Sequence, residues 1–584
     1  MQKSQPKEEK SECLEEFNYQ MVKIHKFKHV ILMKEVWNLN IYFRRFKECV
    51  KKRLWIKSLL IDDRFQERPH VKLSSIKIKP LYKHVKNLDL KSSIASTNHL
   101  FSKFSGLRKF KITFTDSWQI FFEASNFNYP YKQLARSFSL NIFKKLNTLD
   151  ILIEDRTNFP QVEAFLKSIP KCRTIENLII DFGGYNTFYA EKTSLFNSIF
   201  SNIRNISFIK LDNSLLSQLA FSNQRAINNL MNHLQFINMS LVGEYGAPIK
   251  NFIDNLKKAI HFKGISLNLM TPTCDEVFSH INPLILSQQN ITDLSLGIDS
   301  SKPQIQRKNW EEFYQNVSLL KNLQRLKLRL ISFPPPFLKM LAQATRILEH
   351  LKTLSLSISN ISPYSLNDTY DLIGEALNPL KELEDLTLVM STQPTTLFHK
   401  IFEKADLSSL ISLKLLIHLD IKKNEELEAL LSLVNRNIKL KRIYLDVNYS
   451  KMLEINVMFP FHWGQRLMEA AFNKKDLESL HLHLSGFEDG FTDLFKSVSS
   501  FPEKLGVFSL QTFHKKLTDR ELSHLTSLIN KAKFLESFSI KADFGTITEA
   551  AFTAFCDFIL NSKKIHYLSI DPKNSIVQSI HKYF

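Results

Sequence analysis

Glycine is scarce in this sequence, with 13 in 584 residues. The few present form no G-x-x-x-x-G-K-[ST] phosphate loop and no G-x-S-x-G nucleophile elbow, and no H-E-x-x-H pair occurs. The enzyme classes that those motifs announce are therefore not expected, nor is a cofactor. Proline is modest at 19, so a disordered low-complexity chain is not the default either. No run of eighteen apolar residues exists, which argues against a membrane-spanning helix. The five cysteines (Cys13, Cys49, Cys172, Cys274 and Cys556) lie far apart without a C-x-x-C. They read as reduced thiols of an intracellular protein, cytoplasmic or nuclear. The first sixteen residues, MQKSQPKEEKSECLEE, lack the apolar core of a secretory signal.

Positive charge, by contrast, is plentiful. Formal net charge is +20, and residues 1–80 carry 19 Lys/Arg against 10 Asp/Glu. Residues 1–20 read as a charged, disordered tail. From 21 to 80 a basic helical region is expected. Leu39, Phe43, Phe46, Val50 and Leu54 follow one helical stripe, with Arg44, Arg45, Lys47, Lys51, Lys52 and Arg53 on the opposite side. Two readings stay open for it: a cap that seals a stack of repeats, or a basic amphipathic helix over 23–57 that touches RNA or an anionic surface.

A motif, L-x-x-L-x-L, recurs through the rest. It stands in LQRLKLRL (323–330), LKTLSLSI (351–358) and LEDLTLVM (383–390). Seventeen such units begin between Val85 and Ile565, mostly 27–32 residues apart, with longer or shorter gaps of 22, 39 and 37. Each opens with period-two alternation, which predicts a strand with one buried face. Helical spacing follows, as in Trp310, Phe313, Val317 and Leu320, or Leu427, Leu430, Leu431 and Val434. Thr518 and Glu521 have capping-box spacing ahead of Leu522, Leu525 and Leu528. Neither a strand nor a helix of this length buries its apolar face alone, so the units must stack.

On these residues, 81–584 resembles the leucine-rich-repeat superfamily, specifically its ribonuclease-inhibitor-like class. The resemblance implies an α/β solenoid of about 17 units: a curved horseshoe with a parallel sheet on the concave face and helices on the convex face. It also implies non-catalytic protein binding, as an intracellular scaffold or adaptor. The Asn or Cys that usually follows the motif is mostly missing, which marks the chain as divergent.

In such units the residues between the buried leucines face the concavity. There the basic residues number ten and the acidic eight, so the large positive charge is not gathered on that surface. A nucleic-acid groove would show a basic stripe, whereas a mixed polar face suits a protein partner. The candidate contact residues are Arg325, Lys327, Arg329, Tyr444, His481 and His483. Trp118 and Trp463, in two aromatic-rich interruptions of the repeat, are candidate anchors or gap-fillers. His481 and His483 share a strand face but have no Cys or carboxylate at ligand spacing in the sequence, so no metal site is expected. A regulatory role, as a small-GTPase regulator or a ubiquitin-ligase substrate adaptor, is a further reading by analogy of class.

Overall fold

The computed structural model of the chain describes the strands His29–Met33 and Ser58–Asp62, residues 86–91 and 106–114, and most of 136–572. Connecting segments such as 154–164, 182–198, 212–223, 450–462, 485–500 and 559–566 lie outside the described residues. The chain divides into two compact units, the first built on Phe27–Leu296 and the second on Trp310–Phe584.

Among the described residues of the second unit, nine strands follow in chain order. They are β11 (Arg325–Leu330), β12 (Thr353–Ile358), β13 (Asp385–Thr395), β14 (Ser412–Leu419), β15 (Arg442–Tyr449), β16 (Ser479–Leu484), β17 (Val507–Thr518), β18 (Ser537–Thr546) and β19 (Tyr567–Pro572). Each pairs in parallel with the next. Leu326, Leu354, Leu386, Leu413, Ile443, Leu480, Phe508, Phe538 and Leu568 stand opposite one another in one row. The alternation expected from sequence is present: Leu354, Leu356 and Ile358 are buried, while Thr353, Ser355 and Ser357 are half-buried on the other face. Burying each such aliphatic side chain stabilises the repeat by roughly 1.5–3 kcal/mol.

Between strands the chain returns through helices, including Pro335–Thr345, Leu366–Leu377, His399–Lys404, Glu425–Arg436, Trp463–Phe472 and Asp519–Lys531. Their apolar stripes lie in the same core as the strand leucines; Leu430, Leu431 and Val434 are buried, as are Leu522, Leu525 and Leu528. The Thr518–Glu521 capping box is formed.

The first unit repeats the scheme. Its strands run from β1 (His29–Met33), β2 (Ser58–Asp62), β3 (Asn87–Lys91) and β4 (Lys109–Phe114) through β5 (Thr148–Ile153), β6 (Asn177–Asp181) and β7 (Phe208–Leu211). β8 (Phe236–Val242), β9 (Gly264–Met270) and β10 (Asp293–Ile298) follow. From β1 to β9 each pairs in parallel with its successor. All seventeen units read from the sequence contain a strand, β3 to β19, and β1 and β2 are two more. His29, Ser58 and Asn87 are register partners in turn, 29 residues apart each time, which is the repeat period itself. The described residues within 21–80 are thus strands, where the sequence suggested a helical region. HVILM and SLLID are short apolar runs, and periodicity does not separate strand from helix in so few residues. The helical stripe Leu39–Leu54 and the basic patch Arg44–Arg53 lie outside the described residues.

One backbone device recurs from repeat to repeat. The carbonyl of Gln324 accepts from the N–H groups of both Lys352 and Thr353, that of Lys352 from Glu384 and Asp385, and that of Glu384 from Ile411 and Ser412. The series goes on through Ile411, Lys441, Glu478 and Gly506. In the first unit it runs through Lys86, Arg108, Asn147, Glu176, Ser207, Gln235 and Lys263. Strands β4 to β10 and β12 to β18 are therefore each anchored at their first residues to the one before.

The helix layer is stapled in a similar way by side chains. Asp275 Oδ1 accepts from the Gln306 N–H at 2.8 Å, and Asp519 Oδ1 from the Thr548 N–H at 2.7 Å. Glu426, fully buried, accepts from the His399 N–H at 2.8 Å and meets His399 Nδ1 at 2.8 Å. These carboxylates supply acceptors for N–H groups at helix starts that no intrahelical bond uses. At the other helix ends, Lys474 Nζ donates to the Asn435 carbonyl at 2.9 Å, and Gln288 Nε2 to those of Leu256 and Lys257 at 3.1 and 2.9 Å.

Candidate protein-interaction face

The open face of the second unit is set by its register. Because side chains alternate and the strands stay aligned, three lanes of outward residues cross the sheet. The first runs Arg325, Thr353, Asp385, Ser412, Arg442, Ser479. The second runs Lys327, Ser355, Thr387, Lys414, Tyr444, His481, and the third Arg329, Ser357, Val389, Leu416, Asp446, His483.

Two groups of candidate side chains stand on these lanes. Arg325, Lys327 and Arg329 occupy one strand and are all exposed. Three to five strands on, about 14–24 Å away at ordinary strand spacing, the second group is tied together. Lys414 Nζ lies 4.7 Å from the centroid of the Tyr444 ring, a cation–π arrangement. The Tyr444 and His481 rings are 5.6 Å apart and tilted by 33°. His483 Nδ1 lies 2.9 Å from Asp446 Oδ1, both side chains being largely covered. Arg442 reaches across Ser412, whose short side chain leaves the lane clear, to Asp385 Oδ1 at 3.0 Å.

The surroundings shift two of these groups. Burial pushes the His481 imidazole below its ordinary range, and the Lys414 charge adds to the effect. Burial likewise raises the Tyr444 phenol, helped by the negative charge of Asp446. At neutral pH both rings are therefore uncharged, and they form an aromatic floor bordered by a lysine. Among the described residues no three His, Cys, Asp or Glu side chains are gathered to hold a metal ion.

A parallel strand every repeat, a helix on the return, one face of the strand committed to aliphatic residues, and an anchoring carbonyl repeated at the period: this combination decides the architecture. The fold of each unit is that of a leucine-rich repeat. No protein-family model and no curated protein matches the chain. Among solved structures, a leucine-rich repeat-containing protein, LegL7 from Legionella pneumophila, is 12% identical with a TM-score of 0.32. That alignment covers 60% of this chain and 97% of the other. A Bacteroides fragilis protein is 13% identical with a TM-score of 0.28, over 45% of this chain and 75% of that one. The reading of the fold rests on the register and burial of the chain itself.

Of the residues singled out in the sequence, the repeats place Arg325, Lys327, Arg329, Tyr444, His481 and His483 on one sheet face. They bring Tyr444, His481 and His483 side by side and leave the basic triplet apart. Trp463 opens the helix Trp463–Phe472 and so belongs to the helix layer rather than to the sheet. Trp118 lies outside the described residues. Sequence reading counted Lys414, Arg442, Asp385 and Asp446 only as charges. Their common lane positions were available from aligning the repeats, but which lane neighbours touch depends on side-chain reach. No described helix is long and apolar enough to cross a membrane.

Proposed function

We propose that this chain is a non-catalytic protein-interaction scaffold or adaptor whose partner docks on the open face of the second unit. The supporting observation is the Lys414–Tyr444–His481 cluster with its neighbour Asp446–His483. Aromatic rings, a cation and an acid are held side by side by strands in fixed register, and an interface hot spot needs this kind of rigid amphipathic surface. The surrounding serines and threonines leave room for a partner backbone. RNA or anionic-surface binding through 23–57 remains a separate reading, tested by deleting 1–80 and measuring salt-dependent retention on nucleic acid.

The test of the main reading is steric. Ser355→Trp and Thr387→Trp fill the open face without touching the core. Each variant, beside a helix-layer control such as Lys339→Glu, is used as bait in an extract of the source cells, with capture read by mass spectrometry. Loss of the captured partner in the tryptophan variants alone is expected. Capture that persists in both, or that the control abolishes equally, removes the reading.

A further inference from the structure

Resting on that reading, we propose that the partner presents an extended acidic peptide to this face. The peptide carries two carboxylates four residues apart and an aromatic side chain two residues beyond the second.

The spacing comes from the lanes. Lys327, flanked on its strand by Arg325 and Arg329, and Lys414 belong to the same lane, with Ser355 and Thr387 between them. Three strand steps separate the two lysines, about 14 Å. A peptide laid across the strands advances about 3.3 Å per residue, so positions i and i+4 span that distance. An even interval also keeps both side chains on the same face of the peptide. The residues passing over Ser355 and Thr387 meet small side chains, which admit a backbone. Tyr444 is one strand past Lys414 and His481 one further, so i+6 falls over the aromatic floor.

Charge supports the same occupant. Across β11 to β16 the outward positions carry Arg325, Lys327, Arg329, Lys414 and Arg442 against Asp385 and Asp446. Asp385 is engaged by Arg442 at 3.0 Å, and Asp446 stands beyond Lys414, on the strand of Tyr444. The positive potential is therefore patched, with one patch at each end of a neutral trough. A nucleic acid, with a phosphate at every nucleotide, would set charges over Thr387 and Val389 beside Asp385, where the face offers no cation of its own. A peptide can place its carboxylates at the patches only.

The experiment uses the full chain and fluorescein-labelled probes read by anisotropy. The first is a twelve-residue Ser-rich peptide with Glu at i and i+4 and Phe at i+6. Others carry Gln at both Glu positions, or the same residues with the two Glu adjacent. A single-stranded oligonucleotide of twelve bases completes the set. The spaced Glu peptide is expected to bind at least tenfold more tightly than either altered peptide, and more weakly as salt rises. Lys327→Glu and Lys414→Glu should each lower its affinity tenfold or more, whereas Lys339→Glu on the helix layer should leave it unchanged. Equal binding of the Glu and Gln peptides, an equal loss in all three charge reversals, or displacement of the peptide by the oligonucleotide each overturns the proposal. The docking reading is separated from it by Ser355→Trp. If that variant loses the cellular partner while Lys327→Glu and Lys414→Glu retain it, the face binds a protein but not an acidic one. If Ser355→Trp also retains the partner, both ideas fall.

Discussion

Glu426 offers the sharpest test of how neighbouring repeats are held together, because a carboxylate is spent there inside the helix layer. Its side chain is fully buried and gives one oxygen to the His399 N–H and the other to His399 Nδ1, both at 2.8 Å. Two effects compete. Loss of water favours the neutral acid, while the contacts with His399 favour the charged one. Burial is the larger, reinforced by the neighbouring Glu425, so the carboxyl is raised above its ordinary range. Glu426→Ala removes both acceptors and leaves a helix-start N–H buried without one. A lost hydrogen bond to a charged group, less the relief of desolvation, amounts to about 2 kcal/mol. Glu426→Gln keeps an oxygen for the N–H and should stay within about 1 kcal/mol of the parent near neutral pH. The pH dependence carries the sign. The folded protein holds this proton more tightly than the unfolded chain does. The parent is therefore favoured at low pH, loses stability as pH rises from the ordinary glutamate value through the raised one, and is level above it. The glutamine does not titrate, so its advantage relative to the parent grows across that window. Urea denaturation followed by circular dichroism at several pH values measures this. A relative advantage that shrinks as pH rises would mean that the attraction to His399 outweighs burial, and the reasoning would be refuted.

Other outcomes follow from the same structure. In a proton NMR titration His481 should protonate below the ordinary imidazole range, and Lys414→Gln should restore only part of the shift, since burial is its larger cause. A methyl group at Gly264 would sit 2.6 Å from the Phe236 ring and 2.9 Å from Asp293 Cβ. Gly264→Ala should thus cost about 1–3 kcal/mol, and Phe236→Ala should recover part of it in thermal denaturation of the double variant. Arg442 and Asp385 are half-exposed, so a double-mutant cycle should give a coupling under about 1 kcal/mol. A larger value would show that the pair is shielded from solvent.

Much of this architecture could be read from residues alone, and the reasons are local. Leu351, Leu354, Leu356 and Ile358 announce a strand because period-two alternation leaves few other solutions, and all four are buried. Trp310, Phe313 and Val317 announce the helix that returns, and they too are buried. The Thr518–Glu521 pair announced a cap because the chemistry is confined to three residues. Where reading failed, the information was not local. The strands His29–Met33 and Ser58–Asp62 are recognised by what they pair with, and the basic composition around them pointed elsewhere. Buried charges such as Glu426 and Lys474 look like solvated residues until a neighbouring repeat meets them. On the open face, sequence located the lanes; the contacts between Lys414 and Tyr444, or Asp385 and Arg442, needed side chains in three dimensions.

The doubly accepting carbonyl that recurs at the strand starts has a consequence for how such a face changes over generations. Segments between strands differ widely in length, yet Arg442, Ser479 and Val507 still fall opposite one another, although a longer return precedes Ser479 than Val507. Differences in length between strands leave the register unchanged, and the outward residues stay in fixed columns, like type set in a forme. One letter can be replaced without moving the others. A protein built this way can acquire a new partner through single substitutions at unchanged coordinates, while the frame that holds them keeps its fold.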